Sequence, residues 1–230
     1  MVDQASHFGP WLFEFLRELR QNNTREWFVA NKDRYETQVR QPMLQFIADV
    51  GPRLERISTH VVADPRPVGG SLFRIHRDVR FSRDKSPYKT HAAVQFRHEM
   101  GRNVHAPGFY LHLEPSNVFA ACGLWRPGAD SLTQVREAIA TRPEPWRRAI
   151  STRQFKTIWR LEGDSSKRAP SGYDPNHPFI EDLKRKDFVA VTVFSEADAC
   201  APGFVDQFAQ TCGAAGPFMR YLTTAVGLQW

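Results

Sequence analysis

Apolar positions recur along this chain with two periods, and the change from one to the other divides it. Near the start, Trp11, Leu12, Phe15, Leu16 and Leu19 fall on one side of a helix. The stretch NNTREWF then offers a second helix start, with Asn23 accepting from N–H groups of the next turn and Glu26 reaching back three residues, as in a capping box. Trp27, Phe28 and Tyr35 supply its apolar side. Pro42 opens a third helix whose inward positions are Leu44, Ile47, Leu54 and Ile57. Residues 8 to 58 are thus expected to form a helical N-terminal layer.

Two prolines and two glycines in VVADPRPVGG, residues 61 to 70, break both regular structures and predict a connector. Beyond it the period drops to two. Phe73, Ile75, Val79 and Phe81 alternate onto one face, with Arg77 the exception, while Arg74, His76, Asp78 and Arg80 line the other, which predicts a strand. SRDKSPYKT then reads as a turn, since Pro87 cannot donate to a ladder. AAVQFRH, GFYLHLEP and NVFAACGLW are further strands with connections short enough for antiparallel neighbours. Leu132, Val135 and Ile139 predict a helix after Ser131, and Trp146 to Trp159 continues helical. FVAVTVF is the most apolar strand, and GPFMRYLTTAVGLQW closes the chain with an amphipathic helix. Strands grouped between helices predict an α+β fold, mainly an antiparallel sheet packed by N-terminal and C-terminal helices. The expected organisation is a single domain over 1–230, with the helical layer at 8–58, a strand-rich core with a charged hairpin at 71–125, and helices plus one apolar strand at 130–228.

Composition narrows the function classes. With 230 residues and 41% hydrophobic side chains the chain can build a substantial core. The formal net charge of +6 suits an anionic partner, though it also serves solubility. Cys122, Cys200 and Cys212 are odd in number and form no CxxC pair, so a disulfide framework is not suggested and a cytoplasmic location is expected. FGPWLFEFLREL is interrupted by charge at helical intervals, and no run approaches the ~18 apolar residues of a membrane span.

Positive charge concentrates in one segment. Arg74, Arg77, Arg80, Arg83, Lys85 and Lys89 stand against Asp78 and Asp84. Arginines on a strand present planar donors to carboxylate or phosphate, whereas lysines in a loop act as mobile point charges. The candidate ligand-binding residues are therefore Arg74, Arg77, Arg80, Asp84, Lys85, Tyr88, Lys89 and His91. His76, with Asp78 two residues on to orient it, is the candidate acid or base, and both are named as catalytic candidates. The competing reading is a salt-bridge network in which Asp78 and Asp84 pair with the arginines and hold the hairpin together.

Other chemistries find less support. His98, His105 and His112 recur every seven residues but across two strands and a loop, so no metal site is assigned. Ser82 and Ser86 lack a GxSxG elbow, and no phosphate-binding glycine motif occurs. No cofactor is implied. A second polar island, GDSSKRAPSGYDPNHPF, carries Lys167, Arg168, Tyr173 and His177 as further donors near an anion.

Taken together, FLxxLxxNNxREWF, RxxRDxRFSxDKxPYKTH, GFYLHLEP, KRAPxGYDxxHP and LKRKDF resemble the motifs of a widespread family of conserved microbial proteins, a domain of unknown function, over roughly residues 8 to 228. Arg77, Asp78, Arg80, Phe81, Asp84, Lys85, Pro87, Tyr88 and Lys89 match its central motif. The chain departs from the pattern at Ser166, where an apolar residue is expected, and at Ser171. The resemblance implies no activity or substrate. The leading expectation is binding of, or chemistry on, a small anionic or phosphorylated ligand, with nucleic acid as the second partner class and a purely structural or partner-binding hairpin as the third. No membrane partner is expected, and no oligomeric state is assigned.

Overall fold

The computed structural model describes residues 6–101 and 106–230. In chain order, α1 (Pro10–Gln21), α2 (Arg25–Ala30), α3 (Lys32–Tyr35) and α4 (Gln41–Glu55) precede β1 (Val61–Val62), β2 (Ala92–His98), β3 (Gly108–Glu114) and β4 (Asn117–Leu124). There follow α5 (Ala129–Thr141), α6 (Pro143–Ser151), α7 (Arg153–Ile158), β5 (Arg160–Glu162), α8 (Ile180–Leu183), β6 (Phe188–Phe194), α9 (Glu196–Cys200), α10 (Phe204–Ala214) and α11 (Gly216–Ala225). The strands form one antiparallel sheet in the order β1-β2-β3-β4-β6-β5, so the fold is α+β as the patterning predicts. Pro115 and Ser116 close the β3–β4 hairpin, with the negative φ of proline followed by a left-handed φ of 66° at Ser116.

Alternation along the strands decides which face is covered. Ala92, Val94 and Phe96 of β2, Phe109, Leu111 and Leu113 of β3, Val118, Ala120, Cys122 and Leu124 of β4, and Phe188 and Ala190 of β6 are buried in a single apolar cluster with the helices. Helices α1, α4 and α11 pack on β3, β2 and β4 respectively. The opposite face looks outward, with Val193 78% exposed.

Several local expectations are corrected. The regular strand over residues 72 to 81 does not form: Leu72 and His76 make isolated bridges to Val94 and Tyr88, and Phe81 is 95% exposed. Pro87 has no N–H to give, and lysine side chains take carbonyls instead, Lys85 that of Val79 at 3.0 Å and Lys89 that of Arg74 at 2.9 Å. The cap of α2 is Thr24, which accepts from the Trp27 N–H, because Asn23 is engaged elsewhere. No new helix begins at Pro42. The chain runs helical from Lys32 to Glu55 through a π turn at Glu36–Arg40, in which the Gln41 N–H reaches back to the Glu36 carbonyl just before a proline that cannot donate. Phe13 takes a buried place on α1 while Trp11 stays half-exposed. The helix expected through Trp146 and Trp159 breaks at Thr152, which caps α7, and β5 adds a second strand to the C-terminal part. None of the described helices is long and apolar enough to cross a membrane.

Candidate functional site

The outward face of the sheet is not flat. Its cross-strand rows run Ala93–His112–Phe119–Val193, then Gln95–Tyr110–Ala121–Val191, then Arg97–Gly108–Gly123–Val189. Ala93, Ala121, Gly108 and Gly123 are small, and where they meet a cleft of about 970 Å³ opens. Its walls carry Phe73, Lys89 and His91 on one side and Trp125, Arg126 and Glu162 on the other. Gly123 is structurally required. Its φ is +117°, and an added Cβ would run into the Phe188 carbonyl oxygen. At the same end, buried Asp187 accepts from the Arg126 N–H at 2.6 Å and the Asp164 N–H at 3.2 Å, tying together the two segments that build the second wall.

The polar end of the cleft is a connected cluster. Tyr110 Oη lies 2.8 Å from His112 Nδ1, and His112 Nε2 lies 3.3 Å from Glu114 Oε2. Thr90 and Asn117 donate to the same carboxylate at 3.0 and 3.1 Å. The rings of His91 and His112 are 4.4 Å apart, and Phe119 stacks on His112 at 4.7 Å. Burial and then repulsion from His112 push His91 down to about 4, with Glu114 opposing. Burial also lowers His112, against the opposing pull of Glu114, and raises Tyr110 to about 12. Burial alone would raise Glu114, but hydrogen bonds from Asn117, His112 and Thr90 hold it below its ordinary value. Lys89, held over the Phe73 ring at 5.2 Å, is lowered by burial and then by Arg74.

Of the residues expected from the sequence, Lys89 and His91 line this cleft. The others lie along the hairpin that leads to it. Arg77 pairs with Asp84 and donates to the Ser86 carbonyl at 3.3 Å. Hydrogen bonds from Ser86 and the Arg77 charge hold Asp84 far below the usual carboxylate range. Asp78 is engaged by Arg80 at 2.6 and 2.9 Å rather than by His76. Lys85 closes the turn on Val79, and Arg74 is exposed. Tyr88 is buried and stacks on Phe28 with ring centres 4.1 Å apart, and His76 sits beside both rings. Arg74, His76, Asp78 and Arg80 are all exposed on a segment that is not a regular strand, with Asp78 paired to Arg80 and within reach of the Arg74 charge.

Tyr110, Glu114 and Thr90 are not among the residues expected from the sequence, and His112 enters there only through a histidine spacing to which no metal site is assigned. The signal was present in GFYLHLE, where Tyr110, His112 and Glu114 alternate with the buried Phe109, Leu111 and Leu113. His98 lies on the helix-covered face and contacts the Gln229 carbonyl, so it does not converge with His112. His105 lies outside the described residues. Among the described residues no group of three or more His, Cys, Asp or Glu side chains is arranged for a metal ion. Of the loop 163 to 179, the described cleft lining includes Gly163 alone. His177 and Asp174 instead cap their own turn.

Fold and site together define an α+β protein with a cationic, aromatic-walled cleft on the open face of an antiparallel sheet. The chain belongs to the conserved hypothetical protein family DUF2461, whose family model matches residues 12–221. Comparison with curated proteins and with solved structures found no match.

Proposed function

We propose that this protein binds a small anionic ligand with a flat apolar body in the open-face cleft, and that the charged segment serves the site by delivering Lys89 and His91 to its wall. The carrying observation is the crossing of small residues, Ala93, Gly108, Ala121 and Gly123, beneath walls whose described residues bear Lys89, Arg97 and Arg126 against the carboxylate of Glu162. A cleft of about 970 Å³ suits a small molecule, and apolar floor with few placed charges is the usual make-up of such sites. Lys89 is partly desolvated, so an anion meeting it gains more than it would on an open surface. The ion pairs Arg77–Asp84 and Asp78–Arg80 support the view that the hairpin tip shapes the segment while its base carries the ligand contacts. We place this function in the cytoplasm, supported by three cysteines that are all unpaired thiols.

The test compares two fluorescent aromatic probes, anilinonaphthalene sulfonate and the uncharged phenylnaphthylamine. A charge-assisted contact contributes about 1.5–3 kcal/mol, so the sulfonate is expected to bind at least about tenfold more tightly. Lys89→Met is expected to shrink that gap in a protein of unchanged fold. Equal affinity for the two probes would overturn the anionic reading. Displacement of the sulfonate by oligonucleotides alone, vanishing steeply with salt, would favour nucleic acid instead.

A further inference from the structure

Tyr110, His112 and Glu114 stand in one file on the open face of β3, two residues apart, and their polar atoms join end to end. A carboxylate only accepts, so the proton of the neutral imidazole sits on Nε2, and Nδ1 offers its lone pair to the tyrosine hydroxyl. The hydroxyl proton is thereby committed to His112. The remaining lone pair of Tyr110 Oη is left for the cleft, whose wall includes Tyr110, while His112 and Glu114 lie behind it. Thr90 and Asn117 fix the carboxylate, and Phe119 fixes the plane of the ring. The order hydroxyl, imidazole, carboxylate is that of an activated hydroxyl, with a tyrosine in the first place.

We propose that Tyr110, His112 and Glu114 form a proton relay that makes Tyr110 Oη a general base, and in the return direction a general acid, for a ligand in the cleft. This rests on the cleft being the ligand site. The substrate class is an anionic compound with an acidic C–H next to a carbonyl group. In the forward step that C–H bond breaks and its electron pair stays on the ligand as an enolate. The proton passes to Tyr110 Oη as the Tyr110 proton passes to His112 Nδ1, and the imidazolium so formed pairs with Glu114. Delivery of the proton back through Tyr110 Oη to a different atom of the delocalised enolate completes an isomerisation, with nothing oxidised or reduced. Lys89, on the same wall, is the cation that faces the developing negative charge.

The titratable groups facing His112 are Tyr110 and Glu114 on its own strand and His91 from the preceding segment, with Lys89 acting on His91 in turn. Activity needs a neutral His112 and is lost as pH falls through its titration. Glu114 stabilises the imidazolium, so Glu114→Gln moves that acid limb to lower pH. A Glu114 that merely held the strand in place would not move it.

The first readout needs no ligand. Imidazole nitrogen resonances of the full chain are expected to show His112 as the Nε2–H tautomer, with the Nδ1 signal moving toward that of an unbonded acceptor in Tyr110→Phe. An Nδ1–H tautomer, or an Nδ1 signal indifferent to Tyr110→Phe, overturns the relay. The second readout is base-catalysed ring opening of nitrobenzisoxazole, a flat probe that loses a C–H proton to yield a coloured phenolate. Tyr110→Phe is expected to lower its rate by about 100-fold, the scale of general base catalysis. Equal rates in wild type and Tyr110→Phe, at the buffer level or above it, overturn the catalytic role. Binding of anilinonaphthalene sulfonate on the same samples reports on the cleft separately: its absence beside an intact tautomer and a Tyr110-dependent rate refutes the anion reading and not the relay.

Discussion

Replacing Asn23 by alanine isolates what anchors the charged segment to the helices. The pairing of His76 with Tyr88 is flanked by the bonds Arg77 N–H to Pro87 O at 2.9 Å and Lys89 N–H to Ile75 O at 2.8 Å. In such a pair the N–H and C=O of Tyr88 itself point away from His76. Asn23 receives both: its Nδ2 donates to the Tyr88 carbonyl at 3.0 Å, and its Oδ1 accepts the Tyr88 N–H at 3.1 Å. Tyr88 is only 4% exposed, so alanine orphans a donor and an acceptor with limited access to water. Each orphan costs about 1–3 kcal/mol when buried, and partial solvation at the half-buried Asn23 favours the lower end, giving about 2–3 kcal/mol in total. The control is Asn22→Ala, which removes an exposed bond from Nδ2 to the Glu18 carbonyl and is expected to cost below about 1 kcal/mol. Urea unfolding of both variants measures the difference, and amide exchange at Tyr88 reports local release. Because Lys89 follows Tyr88 directly, Asn23→Ala should also weaken sulfonate-probe binding in the folded protein. Stabilities of the two variants within about 0.5 kcal/mol of each other, with Tyr88 exchange unchanged, would refute the anchoring role.

Three further outcomes are expected. Ala121→Leu fills the cleft from its floor and should abolish probe binding while changing stability by less than about 0.5 kcal/mol, as the side chain faces outward; retained binding would move the ligand elsewhere. Gly123→Ala forces an L side chain to a positive φ against the Phe188 carbonyl and should cost about 3 kcal/mol or more in denaturant unfolding, whereas a neutral substitution would contradict the geometry. His91 sits near 4 in the folded protein against 6.5 ordinarily, so the unfolded chain binds the extra proton between those values. Its contribution is complete above about pH 6.5 and is lost as pH falls toward 4, and His91→Gln should flatten that slope by about 1–2 kcal/mol once solvent screening is allowed for.

Most of the sheet was legible in the sequence because its strands are half-buried, and period two then maps directly onto one covered face. AAVQFRH and FVAVTVF coincide with β2 and β6. The same rule failed at residues 72 to 81, where Phe73, Ile75, Val79 and Phe81 alternate but have no continuous partner edge; alternation records which side is apolar and says nothing about where the ladder bonds go. The helix boundaries at Asn23 and Pro42 failed for a related reason. Asn23 is as good a cap as Thr24 by local chemistry, and only the approach of Tyr88, 65 residues away, decides between them. The cleft was hidden for a different reason. A concavity made by four small residues on three strands is set by cross-strand register, which no single segment encodes.

The question raised by the charged segment therefore separates into two along its length. From Arg77 to Ser86 both aspartates are answered by arginines, Asp84 by Arg77 and Asp78 by Arg80, and Lys85 holds the Val79 carbonyl, which together fix the shape of a stretch that has neither helix nor ladder to define it. From Tyr88 onward the chain is clamped by Asn23 and Phe28 and enters β2 at Ala92. Residues 89 and 91 then share the parity that continues as Ala93, Gln95 and Arg97 on the open face, so Lys89 and His91 reach the cleft by the alternation of the strand they lead into. The neighbour between them, Thr90, instead turns its hydroxyl to Glu114 and so secures the carboxylate behind His112. The salt-bridged tip and the ligand wall are thus one device: order imposed on the tip by ion pairs and on the base by Asn23 keeps a partly desolvated lysine at a fixed place on the cleft, where binding an anion then demands little further ordering.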